Sequence, residues 1–554
     1  MVQDFLTVIV GGEAGHGVKK SGNVISILMN ELGRYVFEMD DYQSLIRGGH
    51  NFSVVSSSTS PVYSHYMSAD IIVCLDKRSV DIHKDRLKDG GTLVYNADTV
   101  TLDSGTGLPM KTWIKDIKGI PLMAGTIGVA AVSALCGVEF SFLERIFKAN
   151  YPRGLEANVE LARMVYERMK DDEGKFELAT AETPPGHLLA GNEAIALGAA
   201  AAGLDVYIAY PMTPASTVLH YLAALSKKLG IAVVHPETEI AVVNMALGSA
   251  YAGARTAVGS SGGGFALMHE AFSLAGMSET PLMVILASRP GPSTGVPTYT
   301  GQGDLDFALN VGHGEFPRIV LSPSGTNQAF EKAAELLNLV WKFQVPGILL
   351  TEKHLGESWM TTIIDPESVK VTKPILYDGP LEQYGRYEKT DSGISPMLYP
   401  PAKGTVVKAS SYEHDQKGIT TEEAGKIEEM QEKRYRKEKA IVEEMRDLLT
   451  ITTHGEGSTS LVTYGSTTLS ALEAVKNVDD VKVVQVIYLR PFPDWALWEA
   501  LSDSEVIVAE LSVSGQFENL LRSEGFDVSA HIRQYDGRAF DPPELAARVR
   551  EAIQ

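Results

Sequence analysis

Cysteine is nearly absent from this sequence: Cys74 and Cys136 are the two in 554 residues. Neither belongs to a CxxC pair, so the chain alone cannot ligate a four-cysteine iron–sulfur cluster or a structural zinc. Both lie in apolar runs and read as core residues. A stretch of about 18 consecutive apolar residues, the length of a membrane helix, is also missing. No basic segment precedes the apolar run within Met1 to Val10. The chain is therefore expected to stay in the cytoplasm and away from membranes. Basic residues are in deficit, 49 Lys and Arg against 70 Asp and Glu, for a net charge of −21. That balance argues against general binding to nucleic acid or anionic lipid. Sustained heptads are lacking even in the charged helix expected from Thr421 to Leu449, which instead should pack one face on a neighbour. What remains is ordinary for a globular enzyme, 44 % hydrophobic and 21 % charged, with length for about three or four domains.

Phe5 to Val10 reads as a buried strand, followed by a glycine turn from Gly11 to Val18 and an amphipathic helix through Leu32. Arg34 to Asp41 supplies a second strand whose acidic end, Glu38, Asp40 and Asp41, falls where a dinucleotide fold places its ribose carboxylate. His16 interrupts the glycine spacing, and glycine-rich first turns also occur where no dinucleotide binds. Arg47 to Phe52 precedes another strand. Ala69 to Leu75 and Thr92 to Tyr95 are strands, and Ala124 to Leu135 and Phe142 to Phe147 are helices, completing an α/β unit. A charged, then proline-rich stretch from Asp171 to Gly186 reads as a linker.

Beyond it, Asn192 to Ala202 is a helix and Val206 to Ala209 a strand that ends in Tyr210-Pro211-Met212-Thr213-Pro214. Two prolines stiffen this turn at the carboxyl end of a strand, where open α/β sheets bind ligands. The same residues also suit a helix start with Thr213 as N-cap and Pro214 in the first turn. Strand Ile231 to His235 leads to Glu237, Glu239 and an Ala/Val/Met-rich helix, a place where a carboxylate serves either a site or a cap. Thr256 to Ser261 runs into Gly262, Gly263 and Gly264, whose bare backbone lets a flat ligand approach. Pro281 to Ala287 is a strand, and from its end springs a loop carrying Arg289 and Thr294 among prolines and glycines. A guanidinium there is placed to hold a carboxylate by its fork, or to pin a surface loop. Glu413-His414-Asp415 is an acid–His–acid run that fits a metal site or, more simply, a solvated loop. Ser460 to Tyr464, Val481 to Tyr488 and Glu505 to Glu510 are strands of a last α/β unit, with Leu489 to Pro493 as a strand-end turn.

The ordered set of the Tyr210–Pro214 turn, the Glu239 helix and the Arg289-Pro290-Gly291-Pro292-Ser293-Thr294-Gly295 loop closely resembles the α subunit of 2-oxoacid:ferredoxin oxidoreductases with the γ domain fused at its N-terminus. Gly11 to Val18, Arg386 to Pro396 with Glu413-His414-Asp415, Leu489 to Pro493 and Ser514-Gly515-Gln516 extend the resemblance over essentially the full length. Met212 stands where isoleucine is usual, a volume-conserving change. The resemblance implies a multi-domain α/β protein. Its parts are a Rossmann-like γ domain (1–183), a thiamine diphosphate pyrimidine-type domain (184–372), a helical and irregular linker segment (373–454) and a transketolase-C-like domain (455–554).

It also implies a reaction: oxidative decarboxylation of a 2-oxoacid, 2-oxoglutarate ahead of pyruvate or a broad range, to an acyl-coenzyme A, with ferredoxin reduced. Glu239 would be the catalytic carboxylate on the aminopyrimidine of the cofactor. Thr213 and Arg289, with Tyr210 and Thr294, would bind the substrate, and Gly262, Gly263 and Gly264 the cofactor. Gly15, His16 and Gly17 could line an opening for coenzyme A. The chain has no Gly-Asp-Gly with a following Asn to hold magnesium diphosphate. Magnesium and the iron–sulfur cluster are therefore expected on a separate β subunit, in a heterodimer or dimer of heterodimers, with no metal site on this chain. An NAD-dependent dehydrogenase led by the first glycine turn and a non-catalytic partner-binding subunit are the alternatives.

Overall fold

A computed structural model describes residues 3–44 and 49–553; Met1, Val2, Arg47 and Gly48, which figure in the sequence reading, lie outside the described residues. The chain forms two compact units. The first comprises residues 3–190 together with Glu357–Ile363 and Asp541–Leu545. It is built on an eight-stranded sheet in the order Thr106–Leu108, Leu87–Asn96, Ala69–Cys74, Phe5–Glu13, His50–Ser58, Tyr35–Asp41, Trp359–Thr362, His187–Ala190. Helices Val18–Glu31 and Ala124–Leu135, the latter buried along its whole length, cover one face and share a core with Val8, Val10 and Val73. Cys74 and Cys136 are both free and buried, and burial pushes the Cys136 thiol up to about 12.

This sheet is mixed, which departs from the arrangement of a dinucleotide fold. Phe5–Glu13 pairs antiparallel with His50–Ser58, which in turn pairs antiparallel with Tyr35–Asp41. An antiparallel strand therefore stands between the first two strands, where a dinucleotide fold puts them side by side and parallel. The acidic end of the second strand is displaced by one strand from the glycine turn. The turn itself is shorter than expected: Gly11, Gly12 and Glu13 continue the strand, because His50, Asn51 and Phe52 pair with them and satisfy their backbone. His50–Phe52, expected ahead of a strand, are thus its first residues.

The second unit, Gly191–Gly356 with Ile364–Phe540 and the C-terminal helical turns, contains a seven-stranded and a five-stranded sheet. The first runs Tyr488–Arg490, Ile319–Leu321, Pro346–Glu352, Leu282–Ser288, Thr256–Ser260, Val206–Ile208, Ala232–Val234 and is parallel except for its first member. Val206–Ile208 and Ala232–Val234 lie on one side, and the chain then crosses back to place Thr256–Ser260 and Leu282–Ser288 on the other. The strand order reverses there, which opens a crevice at the carboxyl ends of the strands. Leu489, expected in a strand-end turn, instead belongs to an edge strand of this sheet, so Val481–Val486 and Tyr488–Arg490 serve different sheets.

The expected charged helix spans Ala424–Met445 and does bury one face. Lys433 and Lys437, both fully buried, converge on the carboxylate of Glu279, with Lys433 Nζ 2.8 and 2.7 Å from its two oxygens. Arg386 donates to the Glu279 carbonyl (2.6 Å) and to Gln344 Oε1 (3.0 Å). The Glu413-His414-Asp415 run, read as a metal or solvated loop, is neither. Glu413 forms a two-point ion pair with Arg434 (3.0 and 2.5 Å). His414 is buried, donates Nδ1–H to the Tyr412 carbonyl (2.8 Å) and packs on Tyr387. Asp415 accepts from the backbone N–H groups of Lys417 and Ile419. Only the helix at 424–445 could bring Arg434 to Glu413.

At the end of strand Pro346–Glu352, the buried Glu352 carboxylate accepts from Ser466 N (2.8 Å), at the start of a helix beside the five-stranded sheet. Burial raises its pKa from the ordinary 4.5 to about 7. Between those values the folded state holds a proton the unfolded chain has lost. Its contribution is complete below 4.5 and disappears as pH rises through 7, worth about 3 kcal/mol in total. Glu352→Gln cannot titrate. The Tm of the variant minus that of the parent is therefore expected to be larger at pH 8 than at pH 5.5, and a difference independent of pH would refute the assignment.

Candidate active site

Four pieces of chain meet at the carboxyl edge of the parallel sheet. The Tyr210–Pro214 turn leaves strand Val206–Ile208 and is clamped by Asn192, fully buried in the preceding helix, whose Nδ2 donates to the Pro214 carbonyl (2.9 Å) and to Thr217 Oγ1 (2.6 Å). The following helix starts at Ser216 with Ala215 in the cap position. Thr213 and Pro214 are therefore turn residues, and the helix-start reading of them falls. The Thr213 carbonyl accepts from Arg289 Nη1 (2.7 Å), which joins two of the expected site residues directly. Tyr210 is exposed, its ring edge against His235.

Glu239 is the first residue of helix Glu239–Tyr251, but the cap is Thr238, whose hydroxyl accepts from Ala241 N (3.2 Å). Glu237 is exposed. Glu239 is 4 % exposed and its Oε1 is buried with no hydrogen-bond partner among the described residues. A carboxylate oxygen in that state costs free energy unless something donates to it. At the end of strand Thr256–Ser260 the Ser260 and Ser261 hydroxyls are also buried, with no partner among the described residues. A Cβ on Gly264 would lie 2.1 Å from Ser260 Oγ and 2.6 Å from Glu239 Oε1, so the two oxygens flank the same glycine. An acceptor and a hydroxyl on the same side of Gly264 suit a heterocycle with ring and amino nitrogens, and the aminopyrimidine of thiamine diphosphate fits that set.

The three glycines divide their work. At Gly262 the missing Cβ makes room for the Asp304 carboxylate (2.5 Å), at Gly264 for Ser260 and Glu239, and Gly263 alone has open space, its nearest neighbour Ser293 O at 3.7 Å. Two of the three thus admit the protein's own side chains, and only the middle one is free for a ligand. Arg289 is half-buried, its basicity lowered by burial against the opposing charge of Asp304. Thr294 sits in the exposed 291–296 stretch of its loop. Asn192, Ser260, Ser261 and Asp304 carry no local sequence signal that would have singled them out.

In the first unit, Gly17 is the left-handed N-cap (φ 81°) of helix Val18–Glu31, where a side chain would strike the Leu122 carbonyl at 2.5 Å. Gly15 is exposed, and His16 Nδ1 lies 3.6 Å from Asp76, which also accepts from Glu13 N (2.7 Å). Among the described residues no group of three or more His, Cys, Asp or Glu could hold a metal ion, and no helix is long and apolar enough to cross a membrane.

Two family descriptions match the chain: the thiamine diphosphate-binding family of pyruvate flavodoxin/ferredoxin oxidoreductases over residues 197–433, and the pyruvate ferredoxin/flavodoxin oxidoreductase family over 7–168. Subunit alpha of 2-oxoacid:ferredoxin oxidoreductase 2 from Aeropyrum pernix is 31% identical over 99% of this chain and 98% of its own length. The 2-oxoglutarate synthase subunit KorA of Archaeoglobus fulgidus is 28% identical over 59% of this chain and 88% of its own. The structure of a 2-oxoglutarate:ferredoxin oxidoreductase from Magnetococcus marinus, with 2-oxoglutarate, coenzyme A and succinyl-CoA bound, superposes with a TM-score of 0.92 at 29% identity, covering all of both chains. The fold and these matches together define a subunit of a thiamine diphosphate-dependent oxidoreductase. The chain belongs to the 2-oxoacid:ferredoxin oxidoreductase family, as an alpha subunit.

Proposed function

We propose that this chain supplies the pyrimidine side of a shared thiamine diphosphate site in an enzyme that oxidatively decarboxylates a 2-oxoacid, with 2-oxoglutarate preferred. The products are the acyl-coenzyme A and carbon dioxide, and the electrons pass singly to ferredoxin. The observation that carries the reading is Glu239, a buried carboxylate at a helix start whose Oε1 has no hydrogen-bond partner among the described residues. The preference for 2-oxoglutarate follows the names of the Archaeoglobus and Magnetococcus proteins.

When bound, thiamine diphosphate supplies the nucleophilic carbon and the electron sink that decarboxylation needs. Glu239 would hold the proton exchanged with the pyrimidine ring nitrogen, with the Ser260 hydroxyl on the same side of Gly264. Arg289 keeps one arm of its fork on the Thr213 carbonyl and presents the rest of the guanidinium to the substrate carboxylate. The Thr213 hydroxyl, on the turn clamped by Asn192, is a second donor. Tyr210, Thr294 and Gly263 line the approach.

A β subunit completes the site and carries magnesium and the iron–sulfur cluster, for which two buried free cysteines here are insufficient. The helix opened by Glu239 supports a partner: its exposed residues Ile240, Asn244, Met245 and Gly248 are all uncharged, in a chain of net charge −21. Such a face is what a subunit covers. For coenzyme A we place the contact on the Gly15-His16-Gly17 turn, which precedes a helix with Lys19 and Lys20 and no acid in its first turn.

The test is anaerobic assay of the co-purified complex for coenzyme A-dependent reduction of a low-potential dye, with 2-oxoglutarate and pyruvate compared. Faster turnover with 2-oxoglutarate and a cluster-bearing partner are expected. Absence of activity toward any 2-oxoacid in a complex of intact composition would overturn the reading.

A further inference from the structure

Asp304 occupies a position that neither the motif nor the cofactor reading uses. It precedes helix Leu305–Asn310 in the N-cap position, yet its side chain makes no capping bond. It turns instead toward the crevice, where Oδ2 accepts from Ser288 Oγ (2.8 Å), on the residue just before Arg289. Its carboxylate lies against the bare face of Gly262, the first of the three glycines. It also acts on Arg289 through charge without taking over the guanidinium, whose Nη1 is on the Thr213 carbonyl.

The backbone that carries Asp304 is held on both sides. Upstream, buried Gln302 donates Nε2–H to the Tyr464 carbonyl (3.0 Å) and accepts at Oε1 from Leu511 N (2.9 Å) and Thr467 Oγ1 (2.9 Å). Around it, the Gln516 amide donates to the Gly303 carbonyl (2.9 Å) and accepts from Asp306 N (2.9 Å). A carboxylate on a segment so anchored, touching both the exit of strand Thr256–Ser260 and the exit of strand Leu282–Ser288, sets two loops against each other.

We propose that Asp304 is a positioning residue that acts through Arg289 and Gly262, holding the substrate-binding guanidinium and the glycine turn beside the cofactor in one fixed register. The inference rests on Arg289 as the carboxylate clamp. The Ser288–Asp304 hydrogen bond holds the residue just before Arg289, so the guanidinium leaves the strand end from a fixed backbone, with its Nη1 on the Thr213 carbonyl. Burial raises the pKa of Asp304 while Ser288 and Arg289 oppose that rise, the signature of a carboxyl kept near a cation and partly out of water.

The experiment uses the assembled complex. Asp304→Asn retains an acceptor for Ser288 and the contact with Gly262 but removes the charge. Its KM for 2-oxoglutarate is expected to rise about tenfold, with kcat changed by less than about threefold and thiamine diphosphate affinity, read by calorimetry, unchanged. Asp304→Ala should in addition weaken thiamine diphosphate binding, because the contact at Gly262 is lost. Arg289→Lys separates the two claims. If it leaves KM unaltered, the carboxylate reading itself fails. If it raises KM while Asp304→Asn leaves KM unchanged or lowers it, Asp304 is only a counter-charge and the positioning role is refuted. A double variant no worse than Arg289→Lys alone would confirm that Asp304 works through Arg289.

Discussion

Glu239→Gln is expected to lower the coenzyme A-dependent turnover of the complex by about a thousandfold or more, the loss typical when a positioned acid–base group is removed. Glutamine keeps the length of the side chain and can still accept at its oxygen, but it cannot hold and release a proton at that position. The rest of the site constrains the outcome. The Thr238 cap does not involve the Glu239 side chain, so the helix should start where it does now and the variant should fold and assemble normally. The Glu239 side chain occupies space that the bare Gly264 leaves open, so an isosteric amide should disturb its surroundings little. Turnover is measured with the partner subunit present and the stoichiometry of the complex checked beside it. Retention of more than about a tenth of the activity by a correctly assembled complex would remove Glu239 from the chemistry.

The second large effect concerns stability and has nothing to do with the cofactor. Among the described residues, Glu279 is the carboxylate paired with buried Lys433 and Lys437, and its carbonyl accepts from Arg386 beside them. Burial alone would raise its pKa, yet the surrounding cations hold it well below the usual carboxylate range. Burial pushes the lysines down, Lys433 to about 8 and Lys437 to about 7, with Glu279 opposing the fall in both. Glu279→Ala leaves these cations without compensation and is expected to cost about 3 to 5 kcal/mol, the penalty of an unpaired buried charge. A large drop in Tm follows, with helix Ala424–Met445 released first because its buried lysines are its hold on Glu279 and the Gln344 carbonyl. Replacing Lys433 by Met in the same variant should recover part of the loss, since one uncompensated charge goes with it. A variant as stable as the parent would show that the lysines shed their protons at little cost.

Much of the site was legible because its signals are local. Pro211 and Pro214, the glycines at 262–264 and the Pro/Gly loop after Arg289 each end an apolar run, and a strand followed by such a break lies at the edge of a sheet whatever else the chain does. The partners of those residues were not legible. Asn192 is an ordinary helix residue until the Pro214 carbonyl is brought within reach. Asp304 lies in a Gly-Asp-Leu stretch that reads as a turn until Gly262 and Ser288 close on it.

Composition and periodicity by themselves determined that this is a multi-domain α/β chain with too few cysteines for a cluster, and where many of its strands and helices fall to within a few residues. These are properties of short windows, and apolar period, proline and glycine act within such windows. Only the tertiary structure decided which strands became neighbours. It set His50–Ser58 antiparallel between the first two strands, returned Trp359–Thr362 to pair with Tyr35–Asp41 across more than half the chain, and gave Tyr488–Arg490 to a different sheet from Val481–Val486. It also left Glu239 Oε1 buried without a hydrogen-bond partner among the described residues and surrounded Glu279 with cations. Pairing and burial are set by contacts between residues far apart in sequence, and nothing in the identity of a single residue records them.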